Sequence, residues 1–127
     1  MISGIGTDII DNERIEKIFS KFGFAFAKKI LSNNELRDFE SSQEKINFLA
    51  KRFASKEALS KAIGIGLYRH GLTPKIIEIS HDNLGKPFIN INDELNDILS
   101  MLSITHIHLS ISDTKKLSIA VVISENR

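Results

Sequence analysis

At 127 residues, 42% of them hydrophobic, the chain matches one ordinary domain with a small core, and association between copies is expected to add stability. A formal charge of +1 with 26% charged residues lacks the strongly basic footprint of a nucleic-acid binder, so any cationic recognition surface has to be local. There is no cysteine, which removes disulfides, thiolate zinc sites and cysteine nucleophiles and fits a reducing compartment.

The first eleven residues carry early glycines and Asp8 instead of a basic segment followed by an apolar run, and no apolar stretch approaches membrane-spanning length. The chain is therefore read as cytoplasmic, with neither a membrane nor a nucleic acid as partner. In an extended conformation Ile5, Thr7 and Ile9 share one face of this segment, and Gly4, Gly6 and Asp8 share the other. Asp11 or Asn12 can cap a helix in which Ile15, Ile18, Phe19 and Phe22 recur at helical spacing, and Gly23 stands where a helix stops. Arg14, Lys17 and Lys21 lie on its other face.

A short amphipathic piece over 24–31 precedes Ser32-Asn33-Asn34-Glu35, a capping-box pattern that opens a helix through Phe39. From about Gln43 to Ile63 the pattern is strongly helical, and Ile46, Leu49, Ala50 and Phe53 form one stripe whose continuation lands on Glu57. The rest favours strands: a hairpin from 75–80 and 88–91 around Asp82-Asn83-Leu84-Gly85, a helix capped by Asn92, and a last pair at 104–111 and 117–123. Helices mostly first and antiparallel strands mostly last predict an α+β fold in one domain, 1–127, without repeats or linkers.

Glu57 continues an apolar stripe, where an isolated carboxylate is costly unless a cation compensates it. Two readings are open: a helical pair with Lys61 one turn later, or a ligand to a cation. Asp8 is likewise open between an edge-strand acid facing water and a ligand reached past glycines. Two carboxylates, one on a strand and one on a helix, are a donor set that magnesium uses when phosphate oxygens and waters complete its shell. Downstream, Lys61, Gly64, Gly66 and Arg69 form a glycine-broken helix end with cations nearby, suited to phosphate but without the spacing of a nucleoside-triphosphate loop. His106, His108, Ser110 and Ser112 share one strand face, a poor zinc signal in a chain without cysteine.

Four segments then resemble a known family. Gly4-Ile5-Gly6-Thr7-Asp8-Ile9 and the long run from Arg52-Phe53-Ala54-Ser55-Lys56-Glu57 through Lys61 to Gly64-Ile65-Gly66 resemble the two signatures of the holo-acyl-carrier-protein synthases. Asn83-Leu84-Gly85-Lys86-Pro87 and His108-Leu109-Ser110-Ile111-Ser112-Asp113 resemble its later landmarks in the same order, so the likeness spans essentially the whole chain. It implies a 4′-phosphopantetheinyl transferase-like fold, helices on a small antiparallel sheet, in a homotrimer with active sites between subunits. It also implies magnesium-dependent transfer of phosphopantetheine from coenzyme A to a serine of an acyl carrier protein, in support of fatty acid biosynthesis.

By position, the resemblance makes Asp8 and Glu57 the magnesium ligands, and Glu57 and Lys61 the catalytic pair. Lys61 neutralises the phosphate at the breaking bond, and Gly64 and Gly66 let the nucleotide approach. Arg52 and His108 take the 3′-phosphate of coenzyme A, and Pro87 and Ser110 line the same cleft. Some relatives carry histidine where this chain has Asp113, which leaves that position without an assigned role. Carrier proteins of this kind are acidic, so Arg14, Lys17, Lys21, Lys28 and Lys29 are the expected docking surface. The rivals are a hydrolase using the same acids on water, and a non-catalytic module that binds acidic partners.

Overall fold

The computed structural model describes all 127 residues. Strand β1 (Ile2–Asp11) leads into helix α1 (Asn12–Phe22), α2 (Phe24–Ile30), α3 (Asn33–Ser41) and the long α4 (Lys45–Ile63). A 3-10 turn at Pro74–Ile76 precedes β2 (Glu78–His81) and β3 (Pro87–Asn90), then α5 (Asp93–Met101), β4 (His106–Asp113) and β5 (Leu117–Glu125) close the chain. The α+β expectation holds, but the strands divide into two sheets. One is β1-β5-β4, antiparallel throughout, and the other is the β2-β3 hairpin.

Local chemistry sets most boundaries. Asp11 Oδ1 accepts the Glu13 amide at 3.0 Å and caps α1. At the other end Gly23, at φ 61°, donates its amide to the Phe19 carbonyl. The capping box of α3 forms in full: Ser32 Oγ accepts from the Glu35 amide, and Glu35 Oε1 accepts from the Ser32 amide. Gly64, at φ 79°, ends α4 in the left-handed conformation.

Helix α4 departs from the one-stripe reading. Leu49, Ala50, Ala54, Ala58, Leu59, Ala62 and Ile63 are buried, and so are Arg52, Ser55, Lys56 and Ser60, while Ile46, Phe53 and Glu57 are only half-buried. The helix lies at the centre of the molecule, against β1, β5, α1, α2 and α3, so no single face is the core face. Its small residues admit the sheet closely. A methyl group built on Gly6 would come within 2.0 Å of the Ala58 carbonyl oxygen, and one on Gly4 within 2.0 Å of that of Ala62. The Gly4-Gly6-Asp8 face of β1 is thus the inner face, and Ile5, Thr7 and Ile9 are exposed.

Candidate functional site

Because Gly4 meets Ala62 and Gly6 meets Ala58, β1 and α4 run in opposite directions. The next inward residue, Asp8, therefore arrives beside the turn of α4 that carries Glu57. Lys61 Nζ lies 3.1 Å from Asp8 Oδ1 and donates to the Thr7 carbonyl at 2.9 Å. The helical Glu57–Lys61 pair that sequence left open does not form; the lysine crosses to the strand.

Asp8 Oδ2 is buried and has no hydrogen-bond partner. Burial holds the Glu57 carboxyl above the ordinary carboxylate range, the charge of Asp8 pushes it the same way, and Lys61 and Arg14 oppose them. An orphaned carboxylate oxygen beside a second acid whose ionisation is disfavoured is a place short of positive charge. No third His, Cys, Asp or Glu joins the pair. Two carboxylates suit a hard cation that retains waters and accepts phosphate oxygens, not a closed four-ligand zinc site.

Other expected residues lie elsewhere in the protomer. Arg14 is near enough to Glu57 to favour its ionised form, which puts one expected docking residue at the rim of the carboxylate pair. Gly64 and Gly66 are exposed just beyond the end of α4, and a side chain on Gly64 would meet nothing within 4 Å. Arg52, expected at the 3′-phosphate, is buried at 4% exposure, with Nε 3.1 Å from Glu35 Oε2 and Cζ 4.0 Å from the Phe48 ring centroid. His108 and Ser110 stand on the outer face of the sheet, paired with Ile123 and Val121, while Asp8 is on the inner face. One protomer does not bring them to the Asp8–Glu57–Lys61 cluster. Pro87 opens β3 opposite His81 in the separate hairpin, and Asp113 accepts a hydrogen bond from Asn47 Nδ2 at 2.9 Å.

Lys17 pairs with Glu13 at 3.4 Å and, with Lys21, lines an open cleft of about 1470 Å³ that also holds Glu44, Asn47, Asp113 and Lys115. Its walls carry both charge signs and none of Asp8, Glu57 or Lys61.

Sequence reasoning missed three features. Phe22, expected in the core stripe of α1, is 57% exposed, and Phe24 is exposed beside it; Lys21 and Lys28 Nζ sit 5.3 and 5.4 Å from their respective ring centroids. Their place beside Gly23, where α1 breaks, was the available signal. Lys56 and Glu35 are fully buried as an ion pair, with no local cue beyond the capping box. Glu125 Oε1 lies 2.5 Å from His108 Nε2, and that hydrogen bond and one from Arg127 hold the Glu125 carboxyl below its usual range.

The chain resembles known proteins along its whole length. Residues 4–122 match the model of the 4'-phosphopantetheinyl transferase superfamily. The chain is 47% identical to a holo-[acyl-carrier-protein] synthase of Vibrio cholerae over the full length of both. It superposes on the crystal structure of the Neisseria meningitidis holo-[acyl-carrier-protein] synthase with a TM-score of 0.95 at 43% identity, covering 99% of this chain and 100% of that one. A Bacillus anthracis synthase solved in complex with coenzyme A (3',5'-ADP) gives 0.82 at 36% identity, covering 100% and 99%.

Proposed function

Because the chain belongs to the 4'-phosphopantetheinyl transferase superfamily, we propose that it moves the 4′-phosphopantetheine arm of coenzyme A to a serine of an apo acyl carrier protein, releasing 3′,5′-ADP, in support of fatty acid biosynthesis. The observation that carries this reading is the cluster of Asp8, Glu57 and Lys61, with its orphaned carboxylate oxygen and one half-exposed cation.

Transfer of a phosphoryl-linked group rests on alignment and charge neutralisation more than on covalent chemistry by the protein. Asp8 and Glu57 would hold magnesium, which when bound supplies positive charge to the diphosphate oxygens of coenzyme A. Lys61 swings from the Asp8 carboxylate to the phosphate at the breaking bond, a short move for a side chain that is half-exposed already. The serine proton passes to the Glu57 carboxylate or to a water that it orients. Gly64 and Gly66 leave the helix end open to the nucleotide, and Arg52 and His108 take the 3′-phosphate, with Pro87 and Ser110 beside it.

His108 and Ser110 reach such a site only from a neighbouring copy. The outer sheet face supports that reading, because Ile5, Ile9, Ile119, Val121 and Ile123 present a continuous apolar surface around them. A homotrimer with sites between subunits covers this face. Lys21 and Lys28 lie over the exposed rings of Phe22 and Phe24, and together with Arg14, Lys17 and Lys29 they offer a cationic and apolar surface that suits an acidic carrier protein. Residues 1–127 act as one domain. No helix is long and apolar enough to cross a membrane, and the enzyme works in the cytoplasm.

Mass spectrometry of an apo carrier protein incubated with this protein, coenzyme A and magnesium tests the reading. The expected result is a gain of one phosphopantetheine group. Coenzyme A cleaved without any modified carrier would identify a hydrolase instead, and no gain with several bacterial carriers would overturn the proposal.

A further inference from the structure

Glu35 is held from four sides. Oε1 accepts from the Ser32 amide at 3.0 Å and from Lys56 Nζ at 2.5 Å, while Oε2 accepts from the Ile79 amide at 3.2 Å and sits 3.1 Å from Arg52 Nε. Lys56 also donates to the Ile30 and Pro74 carbonyls, at 2.6 and 3.0 Å. Lys56 is fully buried against this carboxylate and Arg52 is a second cation beside it, with the charge of Asp38 also acting on the guanidinium.

The Arg52 guanidinium is seated but not satisfied. Its Nε is buried at ion-pair distance from Glu35 yet has no hydrogen-bond partner, and no side-chain hydrogen bond ties its terminal nitrogens to the chain. Phe48 covers the guanidinium from a second direction, 4.0 Å from ring centroid to Cζ. The guanidinium charge reaches further: after burial itself, the charges of Arg52 and then Lys51 press the His81 imidazole toward its neutral form, with Asp38 and Asp82 opposing. A fork with donors to spare, fixed on two sides by Glu35 and Phe48, is prepared for a dianion.

We propose that Glu35 and Phe48 are positioning residues that aim the Arg52 guanidinium at the 3′-phosphate of coenzyme A, and so set the preference for coenzyme A over donors that lack this phosphate. The proposal rests on the assignment of Arg52 made above. The ratio of kcat/KM for coenzyme A to kcat/KM for dephospho-coenzyme A, which lacks only the 3′-phosphate, separates aiming from simple structural support.

The wild-type protein is expected to favour coenzyme A, and Arg52→Ala to erase that preference. Glu35→Gln and Phe48→Leu should each lower the ratio by about tenfold, chiefly through KM, the scale of one charge-assisted contact. In an Arg52→Ala background they should not lower it further. If Glu35→Gln fails to fold, Phe48→Leu carries the test, since it leaves the buried charges paired. Equal losses with both donors would overturn the positioning role while leaving Arg52 assigned. A wild-type protein or Arg52→Ala variant with an unchanged preference would instead remove Arg52 from the phosphate site, and the proposal with it.

Discussion

Lys61 reaches across to Asp8 on β1, 3.1 Å from Nζ to Oδ1, and not along its own helix to Glu57. The strand acid thus has one oxygen on a movable cation and the other buried without a partner. Glu57 is left facing a like charge. All three side chains are arranged for a charge that substrate and cation would bring.

Removing either carboxylate should therefore remove transfer and spare the fold. Asp8→Asn and Glu57→Gln are each expected to slow holo-carrier formation by about a hundredfold or more, the scale of losing one electrostatic contact at a reacting group. Circular dichroism should be unchanged. EDTA should stop the wild-type reaction and added magnesium restore it. Near-normal initial rates in either variant would take that residue out of the site.

In metal-free protein Glu57 should cost stability at neutral pH. Burial and Asp8 raise its proton affinity in the folded chain above that of the unfolded chain, so the folded state binds the proton more tightly. Its contribution is most favourable below about pH 4, where the carboxyl is protonated in both states, and is lost as pH rises through the folded-state value. Glu57→Gln should melt higher than wild type at pH 7, and the gap should close on acidification. A wild-type chain that melts higher than the variant at pH 7 in EDTA would contradict this.

Gly6 controls how closely β1 lies on α4. A methyl group there would stand 2.0 Å from the Ala58 carbonyl oxygen and 2.5 Å from the Ala62 amide nitrogen, both backbone atoms that cannot rotate aside. Gly6→Ala should destabilise the protein by about 3 kcal/mol, measured by urea unfolding, and reduce transfer as Asp8 is pushed from Glu57. Wild-type stability would mean that the strand yields easily.

The apolar outer sheet face should behave as an interface. Val121 lies in the middle of it, with Thr7 and Ser110 as cross-strand neighbours. Val121→Glu should convert the assembly to monomer in light scattering behind gel filtration and abolish transfer with it, because a buried unpaired charge opposes association. A wild-type protein that runs as a monomer at micromolar concentration would refute the interface.

Much of this protein is local chemistry, and local chemistry is written in the sequence. The Asp11 cap, the Gly23 stop and the Ser32–Glu35 box act within a few residues and formed as the pattern predicts. Strand alternation likewise assigned His108 and Ser110 to the same face, and the four family-like segments identified Asp8, Glu57 and Lys61 as a set. Which face of β1 points inward was not legible, since glycines look like an empty face until a helix of small residues is laid against them. The burial of Arg52, Lys56 and Glu35 was equally hidden, because a helix surrounded on every side has no periodic stripe to betray it. Partners across β1, β5 and α4 meet through packing between residues distant in the chain, and one-dimensional order carries no record of that distance.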